Sequence, residues 1–259
     1  MAGMPAGMNL SAPRTKGHQP PMDPAEYALM DAVEDRMWWY RALHARLAAA
    51  LVGVSGPVLD AGCGTGGLLA RLGRADGVGL EYDAAAAVRA AAKSGLPIAR
   101  GSVNAMPFAD ASFAAAVSAD VLCHAAVAPD AALRELHRVL RPGGRLVLNL
   151  PAYQWLFSAH DRRVHNIRRF TARQAREALE QSGFGAVRTR YWNGLLLPLM
   201  VLQRKLLARG TEDASDVAAF SPWLDASLHA ITALEFRLPF PMPAGGSLLV
   251  TATKGGDPS

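Results

Sequence analysis

The stretch Val58–Gly67 reads VLDAGCGTGG, and it decides the fold. A short apolar run ends in the acid Asp60, and glycines follow at positions 62, 64 and 66. The run is typical of the end of a buried parallel strand, and GLLARL, which starts at the last glycine, is typical of an amphipathic helix. Glycines at such a turn adopt positive φ and let a ligand approach the backbone, while the helix start offers free N–H groups. The stretch predicts a nucleotide-type cofactor site.

Two cofactor classes fit this turn. Gly62, Gly64 and Gly67 satisfy the dinucleotide fingerprint G-x-G-x-x-G, so a nicotinamide-dependent oxidoreductase is one alternative. Asp60, however, would repel a pyrophosphate held at the helix end. An acid at this place suits a cation better, and S-adenosylmethionine carries a sulfonium and an ammonium without any phosphate.

The spelling DAGCGTG resembles motif I of class I S-adenosylmethionine-dependent methyltransferases, in their small-molecule, type 11-like bacterial branch. The next strand, GVGLEY, ends in Glu81, which is placed to accept hydrogen bonds from ribose hydroxyls. In GSVNAMPFADASFAAAVSADVL, which resembles the third and fourth strand region, Asn104 replaces the family's acid that meets the adenine amino group, and Ala105 is expected to offer its backbone amide to the ring. In ALRELHRVLRPGGRLVLNLP, the turn Pro142–Gly144 is expected to end a helix before the fifth strand.

The resemblance covers roughly residues 55–190 and implies an α/β fold. We expect a Rossmann-like, doubly wound sheet of seven strands whose last strand is antiparallel, with N-terminal helices and a helical insertion before that strand. The predicted segments are a disordered tail (1–22), an N-terminal helical cap (23–54), a cofactor-binding core (55–192 and 245–254), an insertion (193–244) and a final tail (255–259).

A run of aromatic residues, MWWYRALHARLAAAL, precedes the first strand. N-terminal helices of this family often cover the cofactor, so Tyr40, Arg41 or His44 is a candidate contact for its methionine end, and Arg41 is a candidate partner of its carboxylate. An aromatic plug on the outer helix layer is the alternative. The predicted S-adenosylmethionine contacts are Tyr40, Arg41, Asp60, Gly62, Cys63, Gly64, Gly66, Glu81, Tyr82, Asn104, Ala105, Met106 and Asp120.

Candidate catalytic groups lie in SAHDRRVHNIRRFT, a loop expected at the carboxyl end of the sheet. A histidine beside an acid can remove a hydroxyl proton near pH 7, although histidines in such loops also serve as structural hydrogen-bonding groups. Thr171 and Gln174 form a capping box for the helix that follows. The candidate catalytic residues are His124, His160, Asp161 and His165.

Six arginines lie between Arg162 and Arg176, and the chain carries a net charge of +5. A solvated helix face explains such a run, and an acidic acceptor held by Arg168 or Arg169 is the sharper alternative. Aromatic residues do not alternate with the arginines, so nucleic acid is disfavoured as a partner. The candidate acceptor-binding residues are Tyr153, Trp155, Arg168, Arg169 and Trp192.

The insertion is apolar at first and then basic, and its longest uncharged run, Asn193–Gln203, is far shorter than the ~20 residues that span a bilayer. Ser221 and Pro222 are a good start for its second helix. Three roles stay open: a lid over the acceptor, a homodimer surface, or a peripheral membrane contact. A leucine-rich lid predicts an acceptor with apolar bulk.

The two cysteines, Cys63 and Cys123, exclude a disulfide framework, no cysteine–histidine cluster has zinc spacing, and the cytoplasm is the expected compartment. We therefore predict a methyltransferase with a small-molecule acceptor, with O-methylation of a hydroxyl or carboxylate favoured. The alternatives are N- or C-methylation of a lipid-linked or secondary-metabolite acceptor, the oxidoreductase, and a cofactor-binding protein without turnover.

Overall fold

A computed structural model describes residues 24–203 and 221–255. Seven strands form one sheet: β1 (Val58–Ala61), β2 (Gly77–Glu81), β3 (Ile98–Arg100), β4 (Phe113–Ala119), β5 (Leu140–Pro151), β6 (Phe184–Trp192) and β7 (Ser247–Lys254). Their order is β3-β2-β1-β4-β5-β7-β6. Every pair is parallel except the two that involve β7, so the predicted seven-stranded α/β fold with an antiparallel last strand is confirmed.

Helices cover both faces of this sheet. The described helices are α1 (Pro24–Val33), α2 (Trp38–Ala50), α3 (Gly67–Leu72), α4 (Ala84–Ser94), α5 (Pro129–Val139), α6 (Ala159–Arg163), α7 (Ala172–Gln181), α8 (Leu197–Leu202) and α9 (Pro222–Arg237). One face packs against α5 and α7, and the other packs against α2 and α3. Continuous apolar strands buried on both sides, as the parallel sheet requires, supply the core between them.

One predicted boundary is wrong. The helix before the fifth strand ends at Val139, because Leu140 is already extended and pairs with Phe113 of β4. Pro142–Gly144 therefore falls inside β5 and does not end the helix. The capping box on α7 is confirmed: Thr171 Oγ1 accepts from Gln174 N, and Gln174 Oε1 accepts from Thr171 N.

The insertion lies between Trp192, at the end of β6, and Ser247, at the start of β7, and contributes α8 and α9. Leu196 and Leu228 from the insertion form a small apolar cluster with Trp38 of α2. Within residues 24–203 and 221–255, no helix is long and apolar enough to cross a membrane. The predicted tail 1–22, residues 256–259 of the predicted final tail 255–259, and the insertion's middle part 204–220 lie outside the described residues.

Candidate functional site

The glycine turn has the backbone that its sequence predicts. Gly62, Gly64 and Gly66 have φ of 89°, 54° and 89°, a region that other residues enter only with strain. A Cβ on Gly66 would lie 2.7 Å from Cα of Ala90, and one on Gly62 would overlap the side chain of Val121. The backbone can form this turn at the carboxyl edge of the sheet only because these positions carry no side chain.

Asp60 is the buried acid of this turn. Asp60 is 3% exposed, and its carboxylate accepts no hydrogen bond from any residue within the described ranges. Burial, with the negative charges of Glu81 and Glu34 nearby, raises the pKa of Asp60 to about 7. A buried carboxyl group without a partner, next to other acids, favours a cationic ligand and disfavours a phosphate.

Glu81 holds the turn from the end of the neighbouring strand. Its Oε2 accepts from Gly64 N at 2.9 Å, and its Oε1 accepts from Asp83 N at 2.9 Å and from the Tyr27 hydroxyl at 3.3 Å. Burial raises the pKa of Glu81 and, together with the Glu81 charge, that of Tyr27. Tyr82, beside it, is exposed. Cys63 is a buried free thiol whose pKa burial raises, so it fills the turn rather than acting as a nucleophile.

Sequence reasoning missed the contribution of α1. Tyr27, Met30 and Glu34 lie three and four residues apart, at the spacing of one helix face. Met30 and Glu34 contact the glycine turn, and Tyr27 contacts Glu81, which holds that turn. Glu34 accepts from Thr65 Oγ1 at 2.6 Å, and a Cβ on Gly64 would lie 2.8 Å from Met30 Cε. This helical spacing was the one available signal, since the contacts themselves are more than 30 residues apart along the chain.

The structure places the candidates on α2 differently. Arg41, 43% exposed at its side chain, forms an ion pair with Asp225 of α9 at 3.8 Å. Tyr40 packs edge-on against Trp39 and lies near His44, whose pKa burial lowers to about 4. The guanidinium of Arg41 is thus engaged by the insertion. Its predicted pairing with the cofactor carboxylate would require this ion pair to open.

The predicted adenine contacts need a correction. Asn104 Nδ2 donates to Ala126 O and Asn104 Oδ1 accepts from Ala128 N, each at 3.0 Å, so this side chain ties down the loop before α5. The Ala105 amide donates to Ser102 O at 3.1 Å and is not free for a ring nitrogen. The amide of buried Met106 likewise donates to the carboxylate of Glu135, at 2.6 Å. Because Asn104 Oδ1 already accepts from Ala128 N, it has a single lone pair to offer to a ligand.

Asp120, the first residue after β4, has a positive φ of 54°. Asn149 Nδ2 donates to both of its carboxylate oxygens, at 3.0 and 3.1 Å. Burial raises the pKa of Asp120 to about 7. Trp192 Nε1 in turn donates to Asn149 Oδ1 at 2.8 Å, and this tryptophan is buried. Trp192 therefore orients Asn149 and is not an acceptor contact, which corrects that prediction.

The candidate catalytic residues divide into two groups. His124 and His165 come together, since the Ala125 amide donates to His165 O and residues 124 and 166 form a β-bridge. Burial, with the charges of His165 and Arg168 nearby, lowers the pKa of His124 to about 4. His165 has a positive φ of 55°, and His160 lies half-buried in α6.

Asp161 belongs to the structural group, against prediction. It is fully buried, caps α6 through the Ser158 amide at 2.8 Å, and pairs with Arg169 at 2.8 Å. Arg168 donates to the carbonyl oxygens of Leu122, His124 and Val127. Arg169 is buried and all of its nitrogens bond to Asp161 or Ala152, so the predicted clamp is wrong for this residue. Arg168 is half-buried and uses only Nη1 for its three carbonyl oxygens, so its role toward an acceptor stays a prediction.

Aromatic side chains border the same edge of the sheet. Tyr153, which has a φ of 57°, stacks on Tyr191 with ring centroids 5.1 Å apart, and it lies 5.8 Å from the ring of half-exposed Trp155. Non-glycine residues at positive φ are strained and gather at functional sites. Asp120 and Tyr153, which closely follow neighbouring strands, both fit this description.

Comparison with known proteins agrees with this geometry. Residues 59–148 match the family model described as a methyltransferase domain. The 24-methylenesterol C-methyltransferase 2 of Oryza sativa subsp. japonica is 34% identical over 130 residues, which cover 43% of this chain and 34% of that protein. The O-methyltransferase resE of Aspergillus sclerotiorum is 35% identical over 136 residues, 49% of each protein. The chain thus spans between a third and a half of the length of these curated relatives.

A solved structure shows the same fold over nearly the whole length. The S-adenosylmethionine-dependent methyltransferase from Thermotoga maritima has a TM-score of 0.58 at 18% identity, and the match covers 89% of this chain and 95% of that one. The resemblance to class I S-adenosylmethionine-dependent methyltransferases is confirmed.

Proposed function

We propose, from the premise that the chain carries a class I S-adenosylmethionine-dependent methyltransferase domain, that it methylates a small-molecule acceptor with apolar bulk. The donor supplies an activated methyl group on a cationic sulfur. The residues of this chain bind the donor at the glycine turn, align the acceptor and exclude water.

The observation that carries this proposal is the buried carboxyl group of Asp60, which has no hydrogen-bond partner within the described ranges. Glu81 and Glu34 make its surroundings more negative. An ammonium or sulfonium would offset this charge, whereas the pyrophosphate of a nicotinamide cofactor would add to it. This argument favours methyl transfer over the oxidoreductase.

Support for an apolar acceptor comes from the apolar packing of the insertion on α2 and from the names of the matched relatives. Trp39 stacks on Trp192 with ring centroids 6.2 Å apart, and Trp38, Leu196 and Leu228 form an apolar cluster beside them. The matched relatives are named for a sterol and for O-methylation. We propose a hydroxyl or carboxylate as the methylated group and the insertion as a lid, with N- or C-methylation as the alternative.

A hydroxyl acceptor requires a proton acceptor, and His124 and His165 are our candidates. The lowered pKa of His124 keeps its imidazole neutral at pH 7, so it can accept a proton, although a pKa of about 4 makes it a weak base. A carboxylate acceptor needs no base. The two cases predict different pH profiles, because only hydroxyl methylation would depend on these histidines.

The test is a methyl-transfer screen across hydroxy, carboxy and amino compounds of graded apolar size, read by a mass increase of one methylene group. Isothermal titration with S-adenosylhomocysteine and with NADH accompanies the screen. We expect binding of the first and not the second. Binding of NADH alone would support the oxidoreductase, and tight S-adenosylhomocysteine binding with no methylated product would support a binding protein without turnover.

The remaining proposals concern partners and location. We retain a homodimer surface and a peripheral membrane contact as roles of the insertion's outer face, and we propose no nucleic-acid partner. Four arginines of the basic segment meet acceptors of this chain: Arg168 and Arg169 as described, and Arg173 and Arg176 with the carboxylates of Glu177 and Glu180. The reduced state of both cysteines supports the proposed cytoplasmic location.

A further inference from the structure

The carboxylate of Glu81 is already engaged by three hydrogen-bond donors. The backbone amides of Gly64 and Asp83 and the hydroxyl of Tyr27 all donate to it. An ionised carboxylate offers about four acceptor sites. A ribose that presents two hydroxyl groups to Glu81 must therefore displace at least one of these three donors.

Tyr27 is the donor that can leave. The amides that donate to Glu81 belong to the glycine turn and to the chain directly after β2, so the sheet fixes their positions. Tyr27 lies 54 residues away from Glu81 along the chain, on α1. Its hydrogen bond is also the longest of those measured, at 3.3 Å compared with 2.9 Å for the amides of Gly64 and Asp83.

The attachment of α1 is uneven along its length. Asp31, near the end of the helix, pairs with Lys93 at 2.6 Å and with Arg89 at 3.0 Å, and Glu34 just beyond it accepts from Thr65 and Lys93. One turn earlier, Tyr27 donates to Glu81, while Met30, directly before Asp31, lies against Gly64. The carboxyl end of α1 is thus anchored on α4, and the contact found for its amino-terminal half is the hydrogen bond from Tyr27 to Glu81.

We propose that Tyr27 is a displaceable ligand of Glu81 and that its hydroxyl occupies the ribose position in the donor-free protein. The amino-terminal half of α1 must therefore swing away before the donor binds. This inference rests on the proposed donor site. Tyr27 is a gating residue in this scheme and takes no part in methyl transfer. Its loss should therefore strengthen donor binding, which is an effect that a purely structural residue would not produce.

The test measures binding of S-adenosylhomocysteine to the full chain by isothermal titration and by stopped-flow tryptophan fluorescence. We expect Tyr27→Phe to bind about three- to tenfold more tightly than the wild type, mainly through a faster association rate, because a hydrogen bond to a charged group no longer competes. Tyr191→Phe is the matched control. Tyr191 lies on β6, the edge strand at the end of the sheet away from β2, and its hydroxyl accepts from Ala172 N. This control should bind as the wild type does.

A second variant tests the anchor. Asp31→Ala removes both ion pairs at the carboxyl end of α1 and should also raise the association rate, whereas Asp35→Ala, at an exposed side chain 3.7 Å from Lys93, should not. Circular dichroism checks that each variant is folded. If Tyr27→Phe binds more weakly or with an unchanged association rate, the gate is excluded. If no variant and no wild-type protein binds S-adenosylhomocysteine, the proposed function itself fails.

Discussion

At the scale of single residues, Asp60 combines a benefit to the proposed function with a cost to stability. Burial raises the pKa of Asp60 to about 7, well above the pKa of an exposed aspartate. Because the folded state holds this proton more tightly than the unfolded chain, the contribution of Asp60 to stability falls as the pH rises from about 4 to about 7. At pH 8 the folded protein carries a buried charge that a bound cation would offset.

Asp60→Asn removes that charge and keeps the shape. We expect the free energy of unfolding of this variant to be about 1–3 kcal/mol larger than that of the wild type at pH 8. The reason is that holding an ionised carboxylate whose pKa burial has raised costs the folded state an energy of this order. Its affinity for S-adenosylhomocysteine should fall about tenfold, because the ligand's ammonium loses its carboxylate partner. Urea unfolding and isothermal titration measure the two quantities.

The pH provides the control for this prediction. Near pH 4 Asp60 is neutral in the folded wild type, so the stability difference between the two proteins should largely vanish there. A variant that is no more stable than the wild type at pH 8 would show that Asp60 has a cation or hydrogen-bond donor beside it that the described residues do not reveal.

At the scale of elements, a buried ion pair joins the insertion to α2. Arg46 lies 3.7 Å from Glu235 of α9 and between the rings of Trp192 and Phe236, with 4.5 and 4.9 Å to the ring centroids. Glu235 also accepts from three backbone amides before α8, those of residues 193, 194 and 195, at 2.6 to 2.9 Å. The pair therefore fixes both described helices of the insertion.

Glu235→Ala should destabilise the protein by about 3–5 kcal/mol, because Arg46 is left charged and buried while three amides lose their acceptor. The double variant Arg46→Met with Glu235→Ala removes the isolated charge and should be less destabilised than the sum of the two single variants. Urea midpoints of the four proteins form the cycle. Strict additivity would mean that solvent reaches Arg46 and that the pair does not hold the insertion.

These elements also show where sequence reasoning succeeded and where it could not. The glycine turn, Glu81 at the end of β2, and the capping box on α7 depend on neighbours along the chain, so local patterns predicted them. The bonds from Tyr27 to Glu81 and from Arg46 to Glu235 join residues that are 54 and 189 positions apart. Such contacts depend on how helices pack on the sheet, and the roles predicted for Asp161 and Arg169 were wrong for that reason.

At the scale of the whole molecule, the insertion presents an unusual outer surface. Trp223 is 70% exposed, and with Ala230 and Leu234 it lies along one face of α9, which ends at the exposed Arg237. Leu195, which lies just before α8, and Leu199 and Leu202 of α8 repeat at helical spacing and are all exposed. The described acids of the insertion, Asp225 and Glu235, are engaged by Arg41 and Arg46. With both of these acids paired, the remaining charged side chain of this apolar surface, among the described residues of the insertion, is the cationic Arg237. The net charge of the whole chain is +5.

An apolar, cationic face of this kind suits the surface of an anionic bilayer, from which an apolar acceptor could be taken. We expect the protein to sediment with vesicles of phosphatidylcholine and phosphatidylglycerol, and to sediment less with vesicles of phosphatidylcholine alone. The bound fraction should be smaller at about 0.5 M than at about 0.1 M salt, because salt screens the attraction between surface charges. Trp223→Ser with Leu234→Ser should weaken vesicle binding at least about tenfold, because each side chain contributes apolar area to the contact.

Val88→Ser is the matched control, since Val88 is 71% exposed on α4, away from the insertion. Sedimentation velocity without lipid completes the experiment. A dimer that the Trp223 and Leu234 changes dissolve, together with no vesicle binding by the wild type, would assign this face to a second copy of the chain. Because the wild type and the substituted protein are compared in both the vesicle assay and the lipid-free assay, one set of proteins decides the occupant of this face.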